Sequence, residues 1–151
     1  MGPYRVKLIS HRGLLSGPDI KVENSPEQIL YAISQGFDVE LDVRCKNHKF
    51  YLGHDSPDYQ VDITFFNDNM WIHCKNLEAV CEMKNTNLNW FWHNSDMLTL
   101  TSKGFVWCYP QVYIEGGITV VKQGPEHLKE NILGVCTDYP LEWRKFYKEL
   151  Q

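Results

Sequence analysis

The chain lacks any long hydrophobic run: no apolar stretch approaches the ~20 residues that span a bilayer. It also lacks a surplus of positive charge. Lys and Arg total 15 against 19 Asp and Glu, for a formal net charge of −4, and no Lys/Arg run exceeds two residues. That balance argues against a nucleic-acid binder, which needs concentrated positive charge to neutralise phosphates. Paired cysteines are missing too: the five, at 45, 74, 81, 108 and 136, are odd in number and never spaced C-x-x-C. Reduced, mostly buried thiols in a cytoplasmic setting are the expectation. The apolar run Val6-Lys7-Leu8-Ile9 ahead of His11 is too short for a signal peptide, and Val6 stands where a myristoylation motif needs Ser or Thr. No linker, repeat or low-complexity stretch divides the chain. With 43% hydrophobic residues, residues 1–151 are read as a single domain with a sizeable core.

What is present alternates between strand and helix. Arg5 to Ser10 reads as a short buried strand ending at His11. Ser25 starts a helix as its N-cap, with Pro26 in the first position and Gln28 completing a capping box. Ile29, Leu30 and Ile33 form its apolar stripe, and Gly36 ends it in a left-handed conformation. Phe37 to Val43 follows as a strand, which makes a strand–helix–strand unit with parallel pairing. Lys49 to Leu52 is an extended return into the Gly53-His54 turn. Met70 to Cys74 reads as a strand and Leu77 to Met83 as a helix. Further strand cores are Trp90-Phe91-Trp92, Phe105-Val106-Trp107, Leu133 to Cys136 and, more weakly, Val112-Tyr113-Ile114. Pro140 opens a closing helix with the stripe Leu141, Phe146, Tyr147 and Leu150. The alternation implies an α/β architecture. Asp58 to Asp68 reads as an acidic, irregular loop over the mouth of the fold.

Chemistry concentrates in three strings: His11-Arg12-Gly13, Glu40-Leu41-Asp42 and Gly53-His54-Asp55. Residues i and i+2 of a strand share a face, about 6.5–7 Å apart, so Glu40 and Asp42 can close on one hard divalent cation such as Mg²⁺ or Ca²⁺. Val39 and Leu41 then fill the opposite, buried face. Histidines near such an ion can pass protons between nucleophile and leaving group near neutral pH. The planar fork of Arg12 suits bidentate contact with a phosphate. Glu23 and Asn24 stand just before a helix N-terminus, where backbone N–H groups favour anions. The constellation points to metal-assisted cleavage of a phosphate ester.

Taken in order, His11-Arg12-Gly13, Glu23-Asn24, Glu40-Leu41-Asp42, Gly53-His54-Asp55 and the late Thr137-Asp138-Tyr139-Pro140 resemble the glycerophosphodiester phosphodiesterase family. That family's relatives include the phosphoinositide-specific phospholipases C. The match is dense over roughly the first third of the chain and sparse afterwards. The resemblance implies a TIM-type (β/α) barrel with its site at the carboxyl ends of the strands. Such barrels usually need about 250 residues. At 151 residues the expectation is a contracted or incomplete barrel, with parallel strands and short helices. The interval from Phe91 to Trp107 leaves little room for a full crossover helix.

The resemblance also implies roles. His11 and His54 form the acid–base pair, with the assignment of acid and base open. Glu40 and Asp42 hold the cation, Arg12 and Lys75 serve the substrate phosphate, and Glu23 joins the substrate site by supporting Arg12 or the cation. Where the family has Glu-x-Lys, this chain has His73-Cys74-Lys75. His73 is thus the third metal ligand, with Glu115 the alternative carboxylate, and a nitrogen ligand admits Mn²⁺ beside Mg²⁺ or Ca²⁺. His93, at the end of its strand, is open between site and surface. Trp90, Trp92 and Trp107 read as core. The implied activity is hydrolysis of a small-molecule phosphodiester bearing a polyol. The alternatives are a non-catalytic phosphate or polyol binder, or a phosphodiesterase for a lysolipid or a phosphorylated glycan.

Overall fold

The computed structural model describes residues 6–128 and 131–149. Arg5 and Leu150, expected in the first strand and the closing helix, lie outside the described residues. In chain order the elements are β1 (Lys7–His11), α1 (Pro26–Ser34), β2 (Asp38–Lys46), β3 (Lys49–Leu52), β4 (Tyr59–Val61), β5 (Met70–Cys74), α2 (Leu77–Met83), β6 (Asn89–Phe91), β7 (Leu98–Leu100), β8 (Val106–Cys108), β9 (Ile118–Val120), β10 (Gly134–Thr137) and α3 (Pro140–Glu149). The ten strands form one curled, barrel-like sheet in a mixed α/β fold. No helix among the described residues is long and apolar enough to cross a membrane.

Seven strands run parallel, in the order β6-β5-β2-β1-β10-β9-β8. β2 is the longest, and its two halves have different neighbours on one edge. β1 pairs with its first part through Asp38, Val39 and Glu40, and β3 returns antiparallel along Val43 to Lys46. β4 extends that hairpin, and β7 lies antiparallel to β8 at the other end. Among the described residues β6 and β8 share no strand pairing. Aromatic rings fill the interior between them: Phe91 stacks on Trp107 with centroids 4.7 Å apart, and Trp71 lies 5.6 Å from Trp107. No α-helix spans the interval from Phe91 to Trp107; the short strand β7 occupies it.

Helix α1 begins as the sequence leads one to expect, with Ser25 Oγ accepting from the Gln28 N–H at 3.3 Å. The reciprocal half of the capping box is absent. Gln28 Nε2 instead donates to the Gly13 carbonyl at 2.9 Å, which ties the helix start to the turn after β1. At the other end, Gly36 takes φ +94°. There the Gly36 N–H bonds Ile33 O at 2.9 Å and the Phe37 N–H bonds Ala32 O at 3.3 Å, the paired closure of a left-handed cap. The buried stripe is Ile29 and Ala32, with Ile33 half-buried. Leu30 is 48% exposed, because one step of about 100° turns it off the sheet-facing side.

The period of two along the strands separates two cores. Outward from β2, Val39, Leu41 and Val43 pack with Ile29, Ala32, Ala79 and Met83 beneath α1 and α2. Inside the curl, Ile9, Trp71, Phe91, Trp107, Ile118 and Cys136 form an apolar plug. Burying several large side chains of this kind stabilises the fold by roughly 1.5–3 kcal/mol each. Two residues further along β1 and β5 the inward positions become His11 and His73, so the site is built directly on that plug.

Three expectations need correction. Val112 to Ile114 is irregular chain, and the strand is Ile118–Val120; Thr119 Oγ1 donates to the Val112 carbonyl at 2.9 Å and holds that loop against β9. The Asp58–Asp68 stretch is no irregular loop. It contains β4 and a 3₁₀ turn, Ile63–Phe65, capped by Asp62, whose side chain accepts from the Thr64 N–H at 2.9 Å. The closing helix buries Trp143 completely, whereas Leu141, Phe146 and Tyr147 are only half-buried.

Candidate functional site

The parallel strands deliver polar residues to one end of the curl. His11 is the last residue of β1, and Arg12 follows with φ +57°. Glu40 and Asp42 are inward on β2, His73 is inward on β5, and Asp138 follows β10. The hairpin β2–β3 brings back Gly53, whose N–H donates to the Asp42 carbonyl at 3.0 Å. Gly53 has φ +151°, and a Cβ there would lie 1.9 Å from the Ser56 carbonyl oxygen, so only glycine makes the turn. Arg44 pins it, donating from Nε to Gly53 O at 3.2 Å and from Nη2 to His54 O. The result is a cleft of about 160 Å³ lined by His11, Arg12, Glu40, Asp42, His54, His73 and Lys75, with His93 and Tyr109 on its far wall.

Hydrogen bonds set the orientation of nearly every group. His11 Nδ1 lies 2.7 Å from Asp138 Oδ1, and its Nε2 faces Glu40 Oε2 at 3.4 Å. Arg12 is held by two carboxylates: Nη1 donates to Glu23 Oε2 at 2.9 Å, and Nε is 3.1 Å from Asp42 Oδ2. Glu23 therefore supports Arg12 and stands apart from the cluster of Glu40, Asp42 and His73. Asn24, with φ +61°, grips Asp42 twice: Nδ2 donates to Oδ2 at 2.9 Å, and Oδ1 accepts the Asp42 N–H at 3.0 Å. His54 meets Asp55 through Nδ1 at 2.8 Å and is the most exposed of the site histidines. Lys75 lies one residue past β5, its N–H on the Val43 carbonyl at 2.9 Å.

His73 is held in one tautomer. Its Nε2 lies 2.8 Å from the His93 carbonyl, which can only accept, so the proton sits on Nε2. Its ring stacks on Phe91, with centroids 4.8 Å apart. Nδ1 is thereby aimed at Asp42 Oδ1 (3.5 Å) and Glu40 Oε1 (3.9 Å). Glu40 is 3% exposed, and its buried Oε1 has no hydrogen-bond partner. One donor atom from each of Glu40, Asp42 and His73 lies within 4.8 Å of the others.

The chain matches no family model, no curated protein and no solved structure.

Burial governs the electrostatics. It raises the Glu40 carboxyl to about 7, helped by the Asp42 charge and opposed by His11, Arg12 and Lys75. Burial pushes Asp42 upward as well, but Arg12, His73 and the Asn24 bond together hold it below the usual carboxylate range. His73 is lowered to about 4, chiefly by burial, against the pull of Asp42 and the His93 carbonyl. Burial also acts to lower His11, yet the Glu40 charge and the Asp138 bond outweigh it and raise the net value. Around neutral pH Glu40 is thus poised to release its proton, and its orphaned oxygen, an Asp42 carboxylate oxygen and the His73 lone pair lie within 4.8 Å of one another. Such a donor set fits a divalent cation.

Of the sequence candidates, His11, Arg12, Glu40, Asp42, His54, His73 and Lys75 meet in the cleft, and Glu23 joins through Arg12. Glu115 does not. It precedes the amino end of β9, beside Gly116, whose N–H bonds Asn131 O at 2.9 Å, at the opposite end of the sheet. His93 lines the cleft, and its backbone carbonyl orients His73. Trp107 is buried and Trp90 half-buried, but Trp92 is 44% exposed, so the core expectation fails for Trp92. Arg44, Phe91 and the His93 carbonyl were not among the candidates. Phe91 and His93 stand two apart, and that period of two was the available signal.

Proposed function

We propose that this chain is a metal-dependent phosphodiesterase built on a contracted TIM-type barrel like that of the glycerophosphodiester phosphodiesterases. Its substrate would be a small-molecule phosphodiester bearing a polyol. The observation that carries this reading is the convergence of two histidines, an arginine, a lysine and the Glu40/Asp42/His73 donor set in one cleft, drawn from four separate segments of chain.

Glu40, Asp42 and His73 would hold the cation, which when bound would polarise the phosphate and neutralise its charge. Arg12, braced by Glu23, and Lys75 supply positive charge to the non-bridging oxygens. Asp138 fixes His11 with one ring nitrogen toward the cleft, and His54 faces it from the β3 turn. One histidine takes the proton from the attacking hydroxyl as its oxygen forms the new P–O bond. The other protonates the alkoxide as the old P–O bond breaks. A vicinal hydroxyl as nucleophile gives a cyclic phosphate, and water gives the monoester directly.

A second reading concerns substrate class. Tyr109, 46% exposed, lines the cleft, and its N–H bonds the carbonyl of the 68%-exposed Met97 at 2.8 Å. An apolar ledge so placed favours a single-chain lipid among the phosphodiesters. All five cysteines are unpaired, in keeping with a reducing, cytoplasmic setting.

The test is a panel of glycerophosphodiesters, lysolipids and phosphorylated glycans incubated with Mg²⁺, Ca²⁺ or Mn²⁺ and followed by ³¹P NMR. Appearance of a cyclic phosphate or monoester supports the reading. Saturable binding of every diester without product would favour the non-catalytic binder.

A further inference from the structure

Each ligand of the proposed cation site turns one donor atom toward the other two. Asp42 Oδ2 accepts from Asn24 Nδ2 at 2.9 Å and is ion-paired with Arg12, whose Nε lies 3.1 Å away, leaving Oδ1. Glu40 Oε2 faces His11 Nε2 at 3.4 Å, leaving the orphaned Oε1. His73 gives its Nε2–H to the His93 carbonyl, leaving the Nδ1 lone pair. The second oxygen of Asp42 is thus engaged and that of Glu40 is turned toward His11, which disfavours bidentate coordination at both carboxylates.

Ca²⁺ takes about 6–8 oxygen ligands and often uses carboxylates bidentately, so this site suits it poorly. Mg²⁺ accepts about six donors in a strict octahedron but prefers hard oxygen to imidazole nitrogen. The separations of His73 Nδ1 from Asp42 Oδ1 and Glu40 Oε1, 3.5 and 3.9 Å, exceed by less than 1 Å the ~3 Å between adjacent donors of an octahedral shell with ~2.1 Å bonds. Two of the three edges thus stand near octahedral spacing, and all three donor atoms lie within 4.8 Å of one another. The stacked Phe91 ring and the His93 carbonyl keep the imidazole from turning away.

The geometry points to a three-point, one-sided O,O,N site selective for a borderline divalent transition ion of the Mn²⁺ or Co²⁺ class over Ca²⁺ and Mg²⁺, with His73 Nδ1 as the selecting ligand. This inference rests on the proposed cation site. Its consequence is a metal preference set by a single histidine, where a third carboxylate would leave an all-oxygen site.

Calorimetric titration of the metal-stripped full chain with MnCl₂, CoCl₂, MgCl₂ and CaCl₂ tests it, in the native protein and in His73→Glu. The native chain should bind Mn²⁺ and Co²⁺ at least tenfold more tightly than Mg²⁺ and Ca²⁺. His73→Glu should shrink that ratio at least severalfold by strengthening the alkaline-earth ions. Pulsed electron paramagnetic resonance of Mn²⁺ on the native protein, independent of any variant's folding, should show ¹⁴N coupling from a directly bound imidazole. Equal affinities across the four ions, or Mn²⁺ bound without ¹⁴N coupling, would overturn the selectivity while leaving a cation site in place. Absence of binding by all four ions would overturn the proposed cation site and the selectivity together.

Discussion

Asp138 Oδ1 sits 2.7 Å from His11 Nδ1, joining the residue that follows the last strand to the end of the first. β1 and β10 pair in parallel from Lys7–Gly134 to Ser10–Thr137, so the contact is one register step beyond the ladder. A carboxylate held there selects the tautomer that leaves Nε2 toward the cleft and steadies the imidazolium when it forms. Asp138→Ala should therefore lower the His11 pKa, which the Asp138 bond helps to raise, and reduce turnover by at least ~10-fold. Nitrogen-detected NMR titration of the imidazole reads the first effect. An unchanged His11 titration would show that Asp138 does not orient it.

His11 and His54 should act as one unit. Each alanine variant is expected to lose on the order of 10²–10⁴-fold in kcat/KM, with the double variant little worse than either. The pH profile should be bell-shaped. Multiplicative losses on a flat profile would contradict a shared proton-transfer task.

How far such residues can be read from a chain depends on what fixes them. His11, Glu40, Asp42 and His54 are legible because strand alternation and short-range turn chemistry decide where they point. β5 and α2 are legible for the same reason, and both run over the residues expected. β7 and β9, with three residues each and no aromatic ring, are too short for a period of two to register, whereas β6 and β8 of equal length are marked by their aromatic residues. Arg44 on the Gly53–His54 turn and the His93 carbonyl on His73 are invisible for another reason. Their partners are chosen by strand neighbours 9 to 20 residues away. Glu115 misled because a carboxylate in a glycine-rich turn carries no mark of which end of a parallel strand it serves.

In cation-free buffer, two buried groups should pull stability in opposite directions with pH. Glu40, raised to about 7, holds a proton in the native state that the unfolded chain has released above its ordinary value near 4.5. Stability from this group falls as pH rises through that interval. His73, lowered to about 4, is neutral in the native state while the unfolded chain still binds a proton up to about 6.5. Stability from that group rises with pH over the interval. The native chain should be nearly pH-insensitive between these limits, so far as the two groups govern it. His73→Gln should make stability fall with rising pH there, and Glu40→Gln should make it rise. Urea unfolding in EDTA at several pH values checks the signs, and parallel slopes in the two variants would refute the pairing.

Asn24 should matter for stability as well as for the site. Asn24→Gly keeps access to φ +61° but removes both bonds to Asp42, so a loss of roughly 1.5–3 kcal/mol is expected. A denaturation midpoint within experimental error of the native chain would mean that Asp42 finds other partners without cost.

The most direct test of the central claim is the rate of phosphodiester cleavage by EDTA-treated protein as a divalent cation is added back, compared between the native chain and Asp42→Asn. Cleavage should be absent before addition, recover saturably in the native chain, and recover far less in Asp42→Asn. Cleavage that survives EDTA, or that recovers equally in Asp42→Asn, would contradict it.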